Sequence, residues 1–125
     1  MSLLENPTRR VLLVDDHIDS CELYHEYLSV EGHEVRVVHD GPSAVDLLQR
    51  ERFDVAVIDI GLPGMDGYEV ARRLRARGEL ELPLLVALSG YASPDPTDAN
   101  ARLFDAHLLK PVAPARLAAL VMRGR

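Results

Sequence analysis

The stretch Asp54-Val-Ala-Val-Ile-Asp59, followed by Gly61-Leu-Pro-Gly-Met-Asp-Gly67, decides the fold of this chain. Residues 55–58 form a short apolar run rich in β-branched side chains, which is typical of a strand covered on both faces in a parallel sheet. The run ends in the carboxylate of Asp59, and the glycines and proline that follow prevent the strand or a helix from continuing directly. The sequence therefore predicts that Asp59 lies at the carboxyl edge of a sheet, where ligands bind in open α/β folds.

Composition predicts one folded domain and excludes several classes of protein. The chain has 125 residues, of which 47% are hydrophobic and 27% charged, and this is ordinary for a globular domain. The net charge of −6 disfavours nucleic acid or an anionic membrane as the main partner. No apolar run is long enough to span a bilayer, residues 1–10 do not resemble a signal peptide, and the single Cys21 excludes an internal disulfide. We therefore expect a cytoplasmic domain.

Strand and helix signals alternate along the chain. The strand signals lie at residues 10–14, 35–38, 55–59, 84–88 and 108–109, and the helix signals at residues 18–31, 41–52, 68–77 and 114–122. Because successive parallel strands need a crossover between them, this alternation predicts an α/β fold, a parallel sheet with helices on both faces. Between Ser89 and Lys110 the chain runs through Pro94 and Pro96, so we expect a short or irregular helix in that segment.

Polar side chains stand at the carboxyl ends of the predicted strands. The first strand ends in Asp15 and Asp16, the third in Asp59, the fourth in Ser89 and the fifth in Lys110. Carboxylates that share one edge repel each other unless a cation joins them, and oxygen ligands of this kind favour Mg²⁺. Asp59 is then suited to act as a nucleophile that forms an acyl phosphate. Ser89 and Lys110 are suitable donors to the oxygens of a transferring phosphoryl group.

Together these motifs resemble the receiver domain of two-component response regulators. Asp15-Asp16, Asp59 with its glycine-rich loop, Ser89-Gly90 and Lys110-Pro111 occur in the order and at the spacing of that family. The resemblance covers residues 9–123, and it implies a single receiver domain over residues 1–125 with residues 1–8 as a flexible leader. It also implies a doubly wound, flavodoxin-like sheet of five parallel strands in the order 2-1-3-4-5, with five helices.

The resemblance implies a role in phosphorelay signalling. Asp59 would accept a phosphoryl group from a histidine of a sensor kinase or a histidine phosphotransfer protein, and Ser89 and Lys110 would contact the phosphoryl oxygens. The implied Mg²⁺ ligands are Asp15, Asp16, Asp59 and the backbone carbonyl of Gly61. Such a domain assists its own phosphorylation and dephosphorylation, but it is not a turnover enzyme. The Lys110–Pro111 peptide bond is expected to be cis.

One position departs from the family pattern. Receivers usually carry an aromatic residue three positions before the lysine, and its rotation is tied to the threonine or serine; here that position holds His107. Whether His107 replaces this switch or is only an edge histidine stays open. The signal is expected to leave through the face of the fourth helix, fifth strand and fifth helix, where a homodimer, another protein or covalently linked kinase domains would dock. That face includes Leu103, His107, Ala113, Arg116 and Leu120.

Other interpretations remain open at this stage. The sequence of residues 104–112 resembles that of receivers attached to hybrid histidine kinases more than that of receivers joined to DNA-binding domains. A degenerate receiver that serves only as a docking module is an alternative, although such a module has no need of all five polar residues. A phosphatase of the haloacid dehalogenase type is less suitable, because those enzymes carry an Asp-x-Asp motif at the first strand, whereas here the two aspartates are adjacent and the nucleophile lies on the third strand. His17 is expected at the mouth of the site, where it could meet the phosphodonor or simply face solvent.

Overall fold

Five strands form one parallel sheet in the computed structural model, which describes residues 8–78, 82–90 and 99–123. The strands are β1 (Arg10–Val14), β2 (Glu34–Val38), β3 (Val55–Asp59), β4 (Leu84–Ser89) and β5 (Ala106–Leu109). Their order in the sheet is β2-β1-β3-β4-β5, and each neighbouring pair is parallel. The expected parallel sheet and its 2-1-3-4-5 order are therefore confirmed.

Four α-helices and one 3₁₀ turn lie between and after the strands within the described residues. They are α1 (Ile18–Val30), α2 (Gly41–Arg50), α3 (Gly67–Ala76), the 3₁₀ turn Ala101–Leu103 and α4 (Pro114–Val121). The segment of the expected fourth helix falls mostly on residues 91–98, which lie outside the described residues. The 3₁₀ turn is the described part of that segment. Among the described helices, none combines the length and the apolar character needed to cross a bilayer.

Two element boundaries differ from the sequence prediction by two residues, and the others agree to within one. Helix α2 ends at Arg50 instead of about Arg52, because Glu51 takes extended backbone angles. The chain leaves the helix early enough to bury the Phe53 ring under the Arg10 guanidinium, 4.7 Å from the ring centre. Strand β5 begins at Ala106, two residues before the predicted apolar pair, and so includes His107.

Apolar clusters cover both faces of the sheet. The cluster under α2 and α3 contains Leu12, Val14, Ala56, Ile58, Leu48, Val70 and Leu74. The cluster under α1 and α4 contains Val11, Leu13, Val55, Val57, Leu28 and Leu117. Alternate residues of β1 and β3 thus belong to opposite clusters, which is why the central strands are apolar throughout. Strand β3 is buried over its whole length, so it places Asp59 at the end of the central strand of the sheet.

The loop after β3 returns closely onto the end of that strand. The Gly67 N–H donates to the Ile60 carbonyl at 3.3 Å, and the Asp66 carboxylate caps α3 by accepting from the Glu69 N–H at 2.9 Å. A Cβ at Gly67 would lie only 2.7 Å from the Asp59 carbonyl oxygen and 2.7 Å from the Ile60 Cα. Only glycine fits here, and the start of α3 is therefore pressed against the backbone of Asp59.

Candidate functional site

Three strand ends bring two carboxylates and one ammonium together. Asp15 follows β1, Asp59 ends β3 and Lys110 follows β5. The Lys110 Nζ lies 3.1 Å from Asp15 Oδ2 and 3.0 Å from Asp59 Oδ2. Asp15 is 3% exposed and Asp59 5% exposed. Two carboxylates are tolerated at this depth because one ammonium bridges them.

Asp16 and His17 complete an acidic opening above this pair. Asp16 is exposed, and its Oδ1 lies 3.4 Å from the Nδ1 of His17. The ligand atoms of Asp15, Asp16, His17 and Asp59 all lie within 4.8 Å of one another. Three converging carboxylates with one exposed member are the donor set that a hard divalent cation requires. The described residues therefore fit a metal ion at this edge of the sheet.

Backbone groups fix the orientation of the Asp59 carboxylate. The Gly61 N–H donates to Asp59 Oδ1 at 2.9 Å, so the Gly61 backbone lies beside the carboxylate. That the Gly61 carbonyl is a metal ligand stays a prediction. The Ile60 N–H donates to the Leu88 carbonyl at 3.0 Å, which fixes the start of the loop against β4. One oxygen of Asp59 is thus held by the loop, while the other faces Lys110.

Ser89 and Lys110 stand on the strands beside β3. Asp59 pairs with Leu88 in the sheet register, and the buried Ser89 is the next residue of β4. The Lys110 N–H donates to the Ser89 carbonyl at 2.7 Å, so the two residues are coupled through their backbones. The Lys110–Pro111 peptide bond is cis. All five polar residues predicted from the strand ends therefore lie on one edge of the sheet.

Hydrogen bonds favour the charged forms of Asp15 and Lys110. Burial raises the pKa of Asp15, but hydrogen bonds from the backbone and ring of His17 and from Lys110 outweigh it and hold that pKa below its ordinary value. Burial lowers the pKa of Lys110, but hydrogen bonds to Asp59 and Asp15 outweigh it and raise that pKa. The hydrogen bonds of charged Asp15 and charged Lys110 therefore contribute to stability at neutral pH. This contribution is lost as pH falls through the pKa of Asp15 or rises through that of Lys110.

His107 lies in β5, where it pairs with Ala87, and it is half-buried. Its ring meets the Phe104 ring edge-on at 6.0 Å between centres, and Phe104 meets Tyr68 in the same way at 6.1 Å. The His107 Nε2 is buried and has no hydrogen-bond partner among the described residues. The histidine thus ends a row of aromatic rings, and a part in switching stays a prediction.

Cys21 of α1 contacts the backbone of Asp15. It is buried, and its Sγ–H donates a hydrogen bond to the Asp15 backbone carbonyl at 3.4 Å. Burial, reinforced by the negative charge of Asp15, raises the pKa of the thiol to about 11. The thiolate, which is the reactive form, is therefore a minor species at neutral pH.

We expect Cys21 to react with a disulfide reagent such as dithionitrobenzoate at least about a hundredfold more slowly in the folded chain than in urea. Both the raised pKa and the burial of the sulfur slow the reaction, and unfolding removes both. The measurement is the rate of thionitrobenzoate release at neutral pH with and without denaturant. Equal rates in the two states would contradict the buried position of this thiol.

The chain belongs to the response regulator receiver domain family, whose model matches residues 11–122. It is therefore a receiver domain of two-component signalling, a signalling module. The response regulator MprA of Mycobacterium avium is 42% identical over 77 residues, which are 62% of this chain and 33% of that protein. The match thus spans about a third of the length of the curated relatives.

Solved receiver structures match nearly the whole chain. The chemotaxis response regulator CheY4 of Vibrio cholerae is similar with a TM-score of 0.84 and 28% identity, over 94% of this chain and 98% of that one. TrrA of Thermotoga maritima, solved in complex with Mg²⁺-BeF, has a TM-score of 0.81 and 27% identity over 92% and 97%. The receiver domain of a Pseudomonas aeruginosa sensor histidine kinase, with a magnesium ion in its active-site cleft, has a TM-score of 0.80 and 28% identity over 94% and 97%.

The sequence predicts the acidic opening, but it does not predict how deeply His17 enters it. His17 was expected only at the mouth of the site, yet its Nδ1 lies 2.9 Å from Asp15 Oδ1, inside the cluster. The signal in the sequence is the position of His17 directly after the Asp15-Asp16 pair. Sequence spacing alone does not fix the rotation of its ring.

Proposed function

We propose that Asp59 is the phosphoacceptor of this receiver domain and takes a phosphoryl group from a phosphohistidine donor. The observation that carries the proposal is the buried Asp59 carboxylate, which has one oxygen held by the Gly61 N–H and the other paired with Lys110. A carboxylate oxygen attacks the phosphorus as the bond from phosphorus to the donor imidazole nitrogen breaks. The product on this chain is an aspartyl phosphate.

Lys110 and Ser89 are proposed to stabilise the transferring group. The Lys110 Nζ already lies 3.0 Å from the Asp59 oxygen, so it can follow the negative charge onto the phosphoryl oxygens with little movement. Ser89 lies on the adjacent strand, where a hydroxyl can donate to a second phosphoryl oxygen. The exposed Asp16 leaves the mouth of the site open toward a protein donor.

We propose that the site binds Mg²⁺ through Asp15, Asp16, Asp59 and the backbone carbonyl of Gly61. Three carboxylates around a single ammonium carry a surplus of negative charge, which supports a divalent cation there. When bound, Mg²⁺ would neutralise charge on the carboxylates and on the phosphoryl oxygens. The magnesium-containing receiver of Pseudomonas aeruginosa and the Mg²⁺-BeF complex of TrrA support the same assignment.

The partners and setting belong to the same proposal. The donor is a sensor histidine kinase or a histidine phosphotransfer protein, and the domain, residues 1–125, acts in the cytoplasm as a phosphoacceptor and not as a turnover enzyme. The structural likeness to a receiver of a sensor histidine kinase supports a link to kinase domains. The output is proposed to use β5, α4 and the turn before β5, and either a homodimer or a second protein would bind there. Nucleic acid and membrane have no part in this proposal.

A docking module that has lost phosphorylation is not favoured. Such a module would gain nothing from a buried Asp59 paired with Lys110, because burying charged groups opposes stability unless they are matched. The arrangement instead keeps a nucleophile and its counter-charge together below an open acidic mouth.

Phosphotransfer from a promiscuous phosphohistidine protein tests the role of Lys110. We expect Lys110→Ala to slow transfer to the chain by about a hundredfold or more, because the charge that stabilises the phosphoryl oxygens is lost. Arg50→Ala removes an exposed cation of α2 and serves as the control, with transfer at the wild-type rate. The readout is radiolabel moved from donor to receiver in the presence of Mg²⁺. Equal rates in the wild type and Lys110→Ala would contradict the proposed role.

A further inference from the structure

One nitrogen lies among the three carboxylates of the acidic opening. The Nδ1 of His17 is 2.9 Å from Asp15 Oδ1, 3.4 Å from Asp16 Oδ1 and 3.7 Å from Asp59 Oδ2. The same nitrogen lies 3.4 Å from the Lys110 Nζ. His17 is therefore the one described residue that brings a ligand other than oxygen into this set.

Helix capping does not explain the position of this ring. His17 is the N-cap residue of α1, a position usually held by serine, threonine, asparagine or aspartate, but its side chain makes no capping hydrogen bond. Its backbone N–H instead donates to Asp15 Oδ1 at 2.9 Å, which ties the residue to the acidic pair. The side chain is 65% exposed, so the ring can adjust without breaking buried contacts.

The measured separations suit neighbouring ligands of a single ion. Metal bonds to histidine nitrogen and carboxylate oxygen are about 2.0 to 2.2 Å long, so two adjacent ligands at right angles lie about 3 Å apart. The His17 Nδ1 already lies 2.9 to 3.7 Å from the three carboxylates. To bind an ion, Nδ1 must carry no proton, so the imidazole is neutral with its proton on Nε2 and the hydrogen bond to Asp15 is replaced by the metal bond. The side chains of His17 and Asp16 are exposed and can rotate to close the set around one ion.

We propose that His17 is a nitrogen ligand of this metal site, and that it makes the site bind divalent transition metals such as Ni²⁺ far better than an all-oxygen site would. The inference rests on the proposed function, because it uses the same three carboxylates. Imidazole suits nickel, copper and zinc, whereas Mg²⁺ prefers oxygen ligands and water. Removing the ring should therefore affect Ni²⁺ strongly and Mg²⁺ weakly.

Calorimetric titration of the full chain with Ni²⁺, and separately with Mg²⁺, tests this selectivity. We expect His17→Ala to weaken Ni²⁺ binding by about tenfold or more and to leave Mg²⁺ affinity within about threefold. The matched control is His25→Ala, which removes an exposed histidine of the same helix that is not among the grouped ligands. It should bind both ions as the wild type does, and excess Mg²⁺ should suppress the Ni²⁺ heat.

Several results would overturn the inference. One is an unchanged Ni²⁺ affinity in His17→Ala, and another is an equal loss of Ni²⁺ affinity in His25→Ala. A third is a higher Ni²⁺ affinity in His17→Ala, which would mean that the ring competes with the ion for the carboxylates. If Mg²⁺ binds normally in each of these cases, the proposed function stands and only the inference fails. If Mg²⁺ does not bind the wild type, the metal requirement of the proposed function fails, while Ni²⁺ binding that depends on His17 would still support the inference.

Discussion

The Asp59→Asn chain is expected to gain no phosphoryl group from acetyl phosphate under conditions that phosphorylate the wild type. Asparagine keeps the size and the planar shape of the side chain, but its amide is not a nucleophile for phosphorus. The Gly61 N–H can still donate to the amide oxygen, so the loop after β3 should keep its shape. Intact mass spectrometry in the presence of Mg²⁺ measures the gain directly.

The matched control for this prediction is Asp66→Asn. Asp66 belongs to the same loop, but its carboxylate caps α3 by accepting from the Glu69 N–H, and asparagine performs that role equally well. Asp66→Asn should therefore be phosphorylated as the wild type is. Phosphoryl gain by Asp59→Asn would show that the acceptor is not Asp59. An equal loss in both variants would show that the loss in Asp59→Asn does not identify the acceptor.

Gly67→Ala is expected to lower the free energy of unfolding by about 1 to 3 kcal/mol or more. The added Cβ would lie 2.7 Å from both the Asp59 carbonyl oxygen and the Ile60 Cα, and these backbone atoms cannot turn aside as a side chain could. The start of α3 must move away from β3, which opens the cluster around Val70 and Leu74. Urea unfolding followed by circular dichroism gives the difference.

Gly90→Ala provides the comparison for this stability change. A Cβ built at Gly90 meets no atom of the described residues within 4 Å, so this substitution should change the free energy of unfolding by less than about 0.5 kcal/mol. If Gly67→Ala and Gly90→Ala lowered the free energy of unfolding equally, the close packing at Gly67 would not be the reason that this position requires glycine.

Much of the site could be predicted because a parallel sheet collects its strand ends on one edge. Apolar runs that stop at Asp15, Asp59, Ser89 and Lys110 were enough to place these residues together. Helical spacing is informative in the same way: Cys21, Tyr24 and Leu28 stand at the i, i+3, i+7 positions of one helix face, and they are the buried residues of α1. The strand order came from the resemblance to a family, since periodicity does not say which strands are neighbours.

The rest depends on tertiary contacts that local patterns do not encode. Helix α2 ends early because Phe53 is buried beside Arg10, a residue more than forty positions away in the sequence. The ring of His17 turns into the acidic set through a hydrogen bond to Asp15, which no periodicity predicts. The edge-on contact of His107 with Phe104 is likewise not predicted, because the sequence places the start of β5 after His107, whereas the strand begins at Ala106.

Reduction of the phosphorylated chain with borohydride tests the central claim most directly. An acyl phosphate is reduced at its carbonyl carbon, so an aspartyl phosphate becomes homoserine, and peptide sequencing by mass spectrometry locates it. Homoserine at position 59 alone, formed only in samples that contained Mg²⁺ and phosphodonor, is the result we predict. Homoserine at Asp15, Asp16 or Asp54 in place of Asp59, or none in a chain that has gained phosphate, would contradict the assignment.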